Sequence, residues 1–129
     1  MADVVVTVPK SFYFDGKTGL AGWIAEGDLP GQEWSGQDSH FYLGGSPPDI
    51  KPGERVYIIC EGKLRGYAPL VRVEKYDRSY ALVRRGGAVA VTIDEPVRGF
   101  QGFRYTWWSR ADEKPFPGWQ DVQQAEGAR

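Results

Sequence analysis

Residues 51 to 73, KPGERVYIICEGKLRGYAPLVRV, decide the fold of this chain, because they encode a turn, a strand, a second turn and a second strand in that order. Pro52 presets φ and Gly53 can take a positive φ, so the stretch begins with a type II turn. An unbroken run of β-forming residues follows from Val56 to Cys60. The pair Glu61-Gly62 then predicts a β-hairpin.

On the return strand of this hairpin, the apolar positions change parity at Pro69. Leu64 and Leu70 occupy even positions, whereas Val71 and Val73 occupy odd ones. A period-2 pattern that slips by one residue at a proline predicts a bulge or bend on an edge strand. Sharply bent hairpins of this kind are typical of small barrels.

The remaining chain adds more strands and one helix. Valine-rich residues 3 to 9 predict a centrally paired strand, and residues 80 to 85 and 88 to 93 predict a second hairpin across two glycines. Apolar residues at helical spacing predict a short helix over residues 18 to 26. The sequence therefore predicts a mainly β (α+β) fold, a small pseudo-barrel of six or seven strands with one short N-terminal helix.

Composition indicates an ordinary folded protein, with 41% hydrophobic and 26% charged residues among 129. We expect a single domain over residues 1 to 119 and a disordered tail over residues 120 to 129. The one cysteine, Cys60, lies in the most apolar strand and indicates a core residue in a reducing compartment. Since no apolar run approaches the roughly 18 residues of a membrane span, we expect a cytoplasmic protein without a membrane partner.

Signatures of catalysis or metal binding are scarce. His40 is the one histidine, and no cysteine lies near it in sequence, so a zinc site of ordinary composition is not expected. Phosphate-binding loops, dinucleotide fingerprints and nucleophile elbows are missing from the sequence. We therefore expect no metal and no cofactor, and favour a binding protein over an enzyme.

Aromatic residues make up 14% of the chain and favour nucleic-acid binding. They concentrate at Trp23, at Trp34 and in residues 99 to 108, GFQGFRYTWW, where arginines interleave with them. Aromatic faces stack unpaired bases at roughly 1 to 3 kcal/mol each, and arginines bind phosphates or base edges. Because neighbours on a strand face opposite ways, only one of Trp107 and Trp108 can belong to the core.

The order of these features resembles the PUA-like superfamily of small β-barrels, which includes PUA, ASCH, EVE and YTH domains. The resemblance rests on an early strand, a short helix with Trp23, the turn Pro52-Gly53-Glu54 before an apolar strand, and a later GFRYTWW strand. It implies a pseudo-barrel that binds RNA or a modified base in a pocket between helix and barrel. The chain departs from the amidohydrolase motif of ASCH domains after Gly16-Lys17-Thr18, where the acid and the arginine of that motif are missing.

The leading hypothesis is a module that binds nucleic acid, RNA or DNA, with one base held in an aromatic pocket. The residues expected to form the pocket are Trp23, Trp34 and either Trp107 or Trp108. The arginines expected to bind phosphates are Arg65, Arg84, Arg85, Arg104 and Arg110.

Two alternatives stay open at this point. One is a small amidohydrolase acting on a modified nucleoside, with Lys17, Glu26 and His40 around the same pocket. The other is a protein-interaction domain that uses an exposed sheet edge near Pro69.

Overall fold

The computed structural model describes residues 3–8, 13–14, 16–18, 38–60, 62–85 and 89–115. Its elements, in chain order, are β1 (Val4–Thr7), β2 (Tyr13–Phe14), β3 (Lys17–Thr18), β4 (Asp38–Gly44), β5 (Arg55–Cys60), β6 (Lys63–Lys75), β7 (Ser79–Arg85), β8 (Val91–Thr92), β9 (Phe103–Tyr105), a short 3-10 helix (Arg110–Asp112) and β10 (Lys114–Pro115). Six strands form one curled, half-barrel sheet in the order β4-β7-β6-β5-β1-β9. The pairs β8 with β10 and β2 with β3 form two small sheets. This architecture confirms the predicted mainly β pseudo-barrel.

Three sequence predictions fall largely outside the described residues. Of the helix predicted over residues 18 to 26, only Thr18 is described, and it belongs to β3. The predicted tail over residues 120 to 129 lies wholly outside them, as does the end of the predicted domain beyond residue 115. Within the part of the chain that the structure describes, no helix is long and apolar enough to cross a membrane.

The central hairpin forms as its turn residues predict. Gly53 has a φ of 89°, and the N–H of Glu54 donates to the carbonyl of Lys51 at 3.0 Å. Strand β5 then pairs antiparallel with β6, and Gly62 in the turn between them has a φ of 77°. Glycine adopts both conformations without the steric cost that a Cβ would impose. The hairpin prediction is therefore confirmed.

Strand β6 is 13 residues long and serves two partners in succession. Its first half, Lys63 to Pro69, pairs with β5, and its second half, Leu70 to Lys75, pairs with β7. The register shifts just after Pro69, between Leu70 and Arg72, which confirms the predicted bulge. The predicted edge position is wrong, because β6 lies between β7 and β5 inside the sheet. The proline, which cannot donate a ladder hydrogen bond, lies where one ladder gives way to the other.

The second predicted hairpin, between residues 80 to 85 and 88 to 93, is also wrong. Strand β7 is paired on both sides, by β4 and β6, so it has no edge left for the following segment. Val89 instead forms a bridge to Tyr67 of β6, with backbone hydrogen bonds of 2.8 and 3.1 Å. Gly66 permits this approach, because a Cβ there would lie 2.3 Å from the carbonyl oxygen of Val89.

Both faces of the sheet are covered, and two core clusters result. The first contains Val4, Val6, Val56, Ile58, Cys60 and Leu82 among its buried members. The second contains Val5, Tyr57, Ile59, Leu64, Ile93 and Val97. Strand β1 supplies both clusters because it lies between β5, to which it is parallel, and β9. Its predicted central position and the predicted core position of Cys60 are confirmed.

Candidate functional site

Edge strand β4 and the turn that precedes the other edge strand, β9, border a cleft of about 390 Å³. We call it the seam cleft, and its lining residues are Thr7, His40, Phe41, Tyr42, Leu43, Phe100, Gln101 and Gly102. Four of these belong to β4, and three form the turn that leads into β9. The curl of the sheet thus brings residues from its two ends together in a pocket of ordinary ligand-binding size.

One wall of the seam cleft is a stacked pair of rings on β4. Alternation along the strand directs Phe41 and Leu43 toward the first core cluster and His40 and Tyr42 toward the other face. The rings of His40 and Tyr42 have centroids 5.8 Å apart and an interplanar angle of 17°. Tyr42 is 69% exposed, the most exposed large hydrophobic residue among those described. This wall therefore presents an aromatic surface to solvent.

A carboxylate supports this stacked pair from the neighbouring strands. Glu74 of β6 lies 3.6 Å from Nε2 of His40. The same carboxylate accepts hydrogen bonds from the Tyr76 hydroxyl at 2.7 Å and from Nε of Arg72 at 2.9 Å. These two hydrogen bonds, first that of Tyr76 and then that of Arg72, lower the pKa of Glu74. Glu74 is thus kept ionised beside His40 and restrains the orientation of the imidazole.

The opposite wall is the turn from Phe100 to Gly102. The N–H of Phe100 donates to Oγ1 of Thr7 at 3.2 Å, which anchors the turn on β1. The guanidinium of Arg104 lies 4.6 Å from the centroid of the Phe100 ring. Gln101 is exposed at the tip of the turn. This wall therefore combines a second aromatic ring with an amide and a cation.

A second group of aromatic residues surrounds a buried carboxylate, and we call it the carboxylate junction. It consists of Arg55, Tyr57, Trp108 and Glu113. The Glu113 side chain is only 6% exposed and accepts from the Tyr57 hydroxyl, from Nε1 of Trp108 at 2.9 Å and from Nη1 of Arg55 at 3.1 Å. Burial, followed by the hydrogen bond to Glu113, raises the pKa of Tyr57. The junction attaches the segment after β9 to the main sheet.

Trp107 and Trp108, the two alternatives predicted for the pocket, have different surroundings in the structure. Trp108 belongs to the junction, where its ring meets Tyr57 edge to face at 5.2 Å, and it packs against the second core cluster. Trp107 lies perpendicular to Trp108 at 4.9 Å and is 47% exposed. Neither tryptophan lines the seam cleft. Trp23 and Trp34 lie outside the described residues.

Two of the predicted phosphate-binding arginines are corrected by the structure. Arg65 and Arg84 are both 0% exposed. Nε of Arg65 donates to the carbonyl of Cys60 at 2.9 Å, and Nη1 of Arg84 donates to the carbonyl of Val56 at 3.1 Å. Both guanidiniums thus bind backbone carbonyl groups in the interior, and these hydrogen bonds offset part of the cost of burying a charge. Neither lies on a surface that a phosphate can reach.

The other three arginines are exposed. Arg85 ends β7, and the guanidinium of Arg104 lies over the ring of Phe100, which lines the seam cleft. Arg110 forms an ion pair with Asp3 at 2.9 Å, with a further hydrogen bond from Nε at 3.0 Å. Its charge is therefore balanced by a carboxylate of the same chain.

Of the residues proposed for a hydrolase, His40 lines the cleft. Lys17 belongs to β3, and Glu26 lies outside the described residues.

Most residues of the seam cleft could not be predicted from sequence patterns. Tyr42 and His40 were detectable in principle, because two ring residues on the polar side of an alternating strand indicate an exposed aromatic surface. The junction carried no local signal, since Tyr57 and Glu113 are 56 positions apart.

Comparison of the chain with protein-family models, with curated proteins and with solved structures found no match. The function must therefore be inferred from the chemistry of the seam cleft and of the surface around it.

Proposed function

We propose that the chain is a nucleic-acid-binding module of PUA-like architecture, which holds one unpaired or modified base in the seam cleft. The observation that carries the proposal is the stacked pair of His40 and Tyr42, with Tyr42 69% exposed. A base has an aromatic face of its own and extends such a stack by one ring. RNA is the favoured ligand, because its recognition commonly uses unstacked bases on aromatic side chains.

The opposite wall supplies the polar contacts that such a ligand needs. The amide of Gln101 carries both donors and an acceptor, the combination that pairs with the edge of a base. Phe100 offers a second ring, and Arg104 beside it offers a charge for the phosphate. A base between the two walls would thus meet rings on its faces and an amide at its edge.

Charge around the cleft agrees with a polyanionic ligand. Residues 96 to 111 contain no acidic residue and three arginines, of which Arg110 is paired with Asp3, and Arg98 and Arg104 are exposed. A second cleft, of about 440 Å³, is lined by Asp94, Glu95 and Asp112 and is unfavourable for phosphates. We therefore place the nucleic acid at the seam cleft and not at this acidic cleft.

The proposal is tested by measuring the affinity of labelled single-stranded RNA and DNA hexanucleotides by fluorescence anisotropy. Tyr42→Ala removes the exposed ring and should weaken binding roughly tenfold, as expected for the loss of one base stack. The matched control is Val89→Ala, which shortens an apolar side chain that is 45% exposed but does not line the cleft.

Unfolding curves of both variants should coincide with that of the wild type within about 0.5 kcal/mol, because both side chains are largely exposed. If Tyr42→Ala and the wild type bind with equal affinity, the base does not bind in the seam cleft. The absence of wild-type binding to any oligonucleotide would remove the function altogether.

A further inference from the structure

We infer that the ligand is a single-stranded oligonucleotide longer than one nucleotide, and that Trp107 stacks a second base outside the seam cleft. The inference rests on the proposed function and extends it from a base-binding cleft to a path along the edge of the sheet. It assigns the exposed tryptophan a role that the cleft itself does not provide.

The path follows from the continuity of the chain. The turn Phe100 to Gly102, which forms one wall of the cleft, runs directly into β9, an edge strand of the main sheet. Side chains two residues apart on a strand are about 6.6 Å apart and lie on the same side. Tyr105 lies on the same side of β9 as Phe103, and Trp107 follows two residues after the end of the strand; the two are 48% and 47% exposed. An oligonucleotide that leaves the cleft along β9 therefore meets exposed rings in succession. Rings in such an arrangement stack successive bases.

Among these rings, that of Trp107 is the least engaged in hydrogen bonds and ring contacts within the described part of the chain. The hydroxyl of Tyr105 accepts a hydrogen bond from the N–H of Asp49 at 2.9 Å, and its ring meets Phe103 edge to face. Nε1 of Trp108 is bound to Glu113 in the carboxylate junction. Trp107 contacts Trp108 at a right angle and leaves almost half of its surface to solvent. An indole offers the largest stacking surface of any side chain.

Two carboxylates beside this path are paired with arginines, which reduces their repulsion of phosphates. Asp3, whose backbone bonds to Thr106, is paired with Arg110, and its side chain is 9% exposed. Glu113 is paired with Arg55 and is 6% exposed. Next to the path, Arg104 is exposed, and so is Asp49, whose N–H donates to the Tyr105 hydroxyl. The path thus combines exposed rings with the positive charge of Arg104 on one side.

The test measures the affinity of the protein for a length series of one homopolymer, from the mononucleotide to the hexanucleotide. NMR titration gives the affinity for the shortest ligands and fluorescence anisotropy that for the longer ones. Wild-type affinity should rise with length until the path is filled. Trp107→Ala should lower the affinity for the hexanucleotide roughly tenfold and change that for the mononucleotide by less than about twofold. Trp107→Phe, which keeps a ring, should restore most of the loss, and Val89→Ala, an exposed position outside the cleft, should have no effect.

The outcomes separate this inference from the function on which it rests. If Trp107→Ala leaves hexanucleotide affinity unchanged while Tyr42→Ala weakens it, the cleft binds a base and the path along β9 is wrong. If Trp107→Ala weakens mononucleotide and hexanucleotide equally, Trp107 acts on the cleft and the path is again wrong. If neither the wild type nor any variant binds, the proposed function fails and the path fails with it.

Discussion

The carboxylate junction and the seam cleft are both rich in aromatic rings, yet they use them in opposite ways. In the junction, Tyr57 is fully buried, and its hydroxyl and the indole N–H of Trp108 both donate to Glu113. In the cleft, the Tyr42 ring is largely exposed. Aromatic content alone therefore does not distinguish a packed region from a binding surface. The distinction lies in whether the protein already supplies the partners of each ring.

The physical basis of this contrast is the cost of burying polar groups. A buried carboxylate is stable only when hydrogen-bond donors surround it, and three donors converge on Glu113. Such an arrangement has no capacity left for a ligand. The cleft carries the opposite pattern, because an exposed ring gains free energy when a second aromatic surface covers it.

The largest effect that follows from the contrast is expected at Glu113. Glu113→Ala leaves the Arg55 charge and the buried Tyr57 hydroxyl without this acceptor, and should lower the free energy of unfolding by about 3 kcal/mol. The matched control is Asp94→Ala, whose side chain is 80% exposed and pairs with Lys114 at 2.6 Å. The control should cost less than about 1 kcal/mol. Urea unfolding measures both, and equal losses would show that the junction does not hold the segment after β9.

A smaller effect concerns the pH dependence of stability. The pKa of Tyr57 is raised above its ordinary value of about 10, so the folded state favours the protonated phenol. The stability that this phenol contributes is complete below pH 10 and is lost as the pH rises toward the folded pKa.

Tyr57→Phe should therefore cost about 1 kcal/mol at pH 8, where the hydrogen bond to Glu113 is intact. The difference between wild type and variant should shrink by about 1 kcal/mol between pH 10 and pH 11. Urea unfolding at several pH values provides the measurement. A difference that stays constant up to pH 11 would contradict the burial of the phenol.

The smallest effect is expected on the cleft side, in the salt dependence of nucleic-acid binding. Arg104→Gln should reduce the slope of log affinity against log salt concentration by about 0.7, the value for one phosphate contact on a single strand. Arg78→Gln, an exposed arginine in the turn between β6 and β7, is the control and should leave the slope unchanged. An identical slope for both variants would exclude Arg104 from the interface.

Features encoded by neighbouring residues were predictable from the sequence. The turn at Pro52-Gly53 and the hairpin of β5 and β6 depend on residues a few positions apart, and both formed as predicted. The bulge after Pro69 was predictable for the same reason. The position of β6 inside the sheet was not predictable, because it depends on pairings with two different strands. The first half of β6 pairs with β5 and the second half with β7.

The burial of Arg84 and the seam cleft escaped prediction because both depend on distant segments. Arg84 ends an apolar run and looks like a solvent position, but its partner is the carbonyl of Val56, 28 positions away. The cleft combines Thr7, part of β4 and the turn before β9, which only the curl of the sheet brings together. The aromatic segment GFQGFRYTWW was recognised correctly as a concentration of rings. Its division into partly buried Trp108 and exposed Trp107 required the structure.

Strand β1 has a consequence for the synthesis of this protein. Its three buried valines emerge from the ribosome about 50 residues before β5 and about 100 before β9, the two strands that flank them. At translation rates of roughly 5 to 20 residues per second, this apolar segment waits for seconds without its native partners. Pairings of such high sequence separation also fold slowly. The nascent chain therefore passes through a period in which β1 is a target for chaperones and a site of aggregation, well before the sheet that bears the seam cleft is complete.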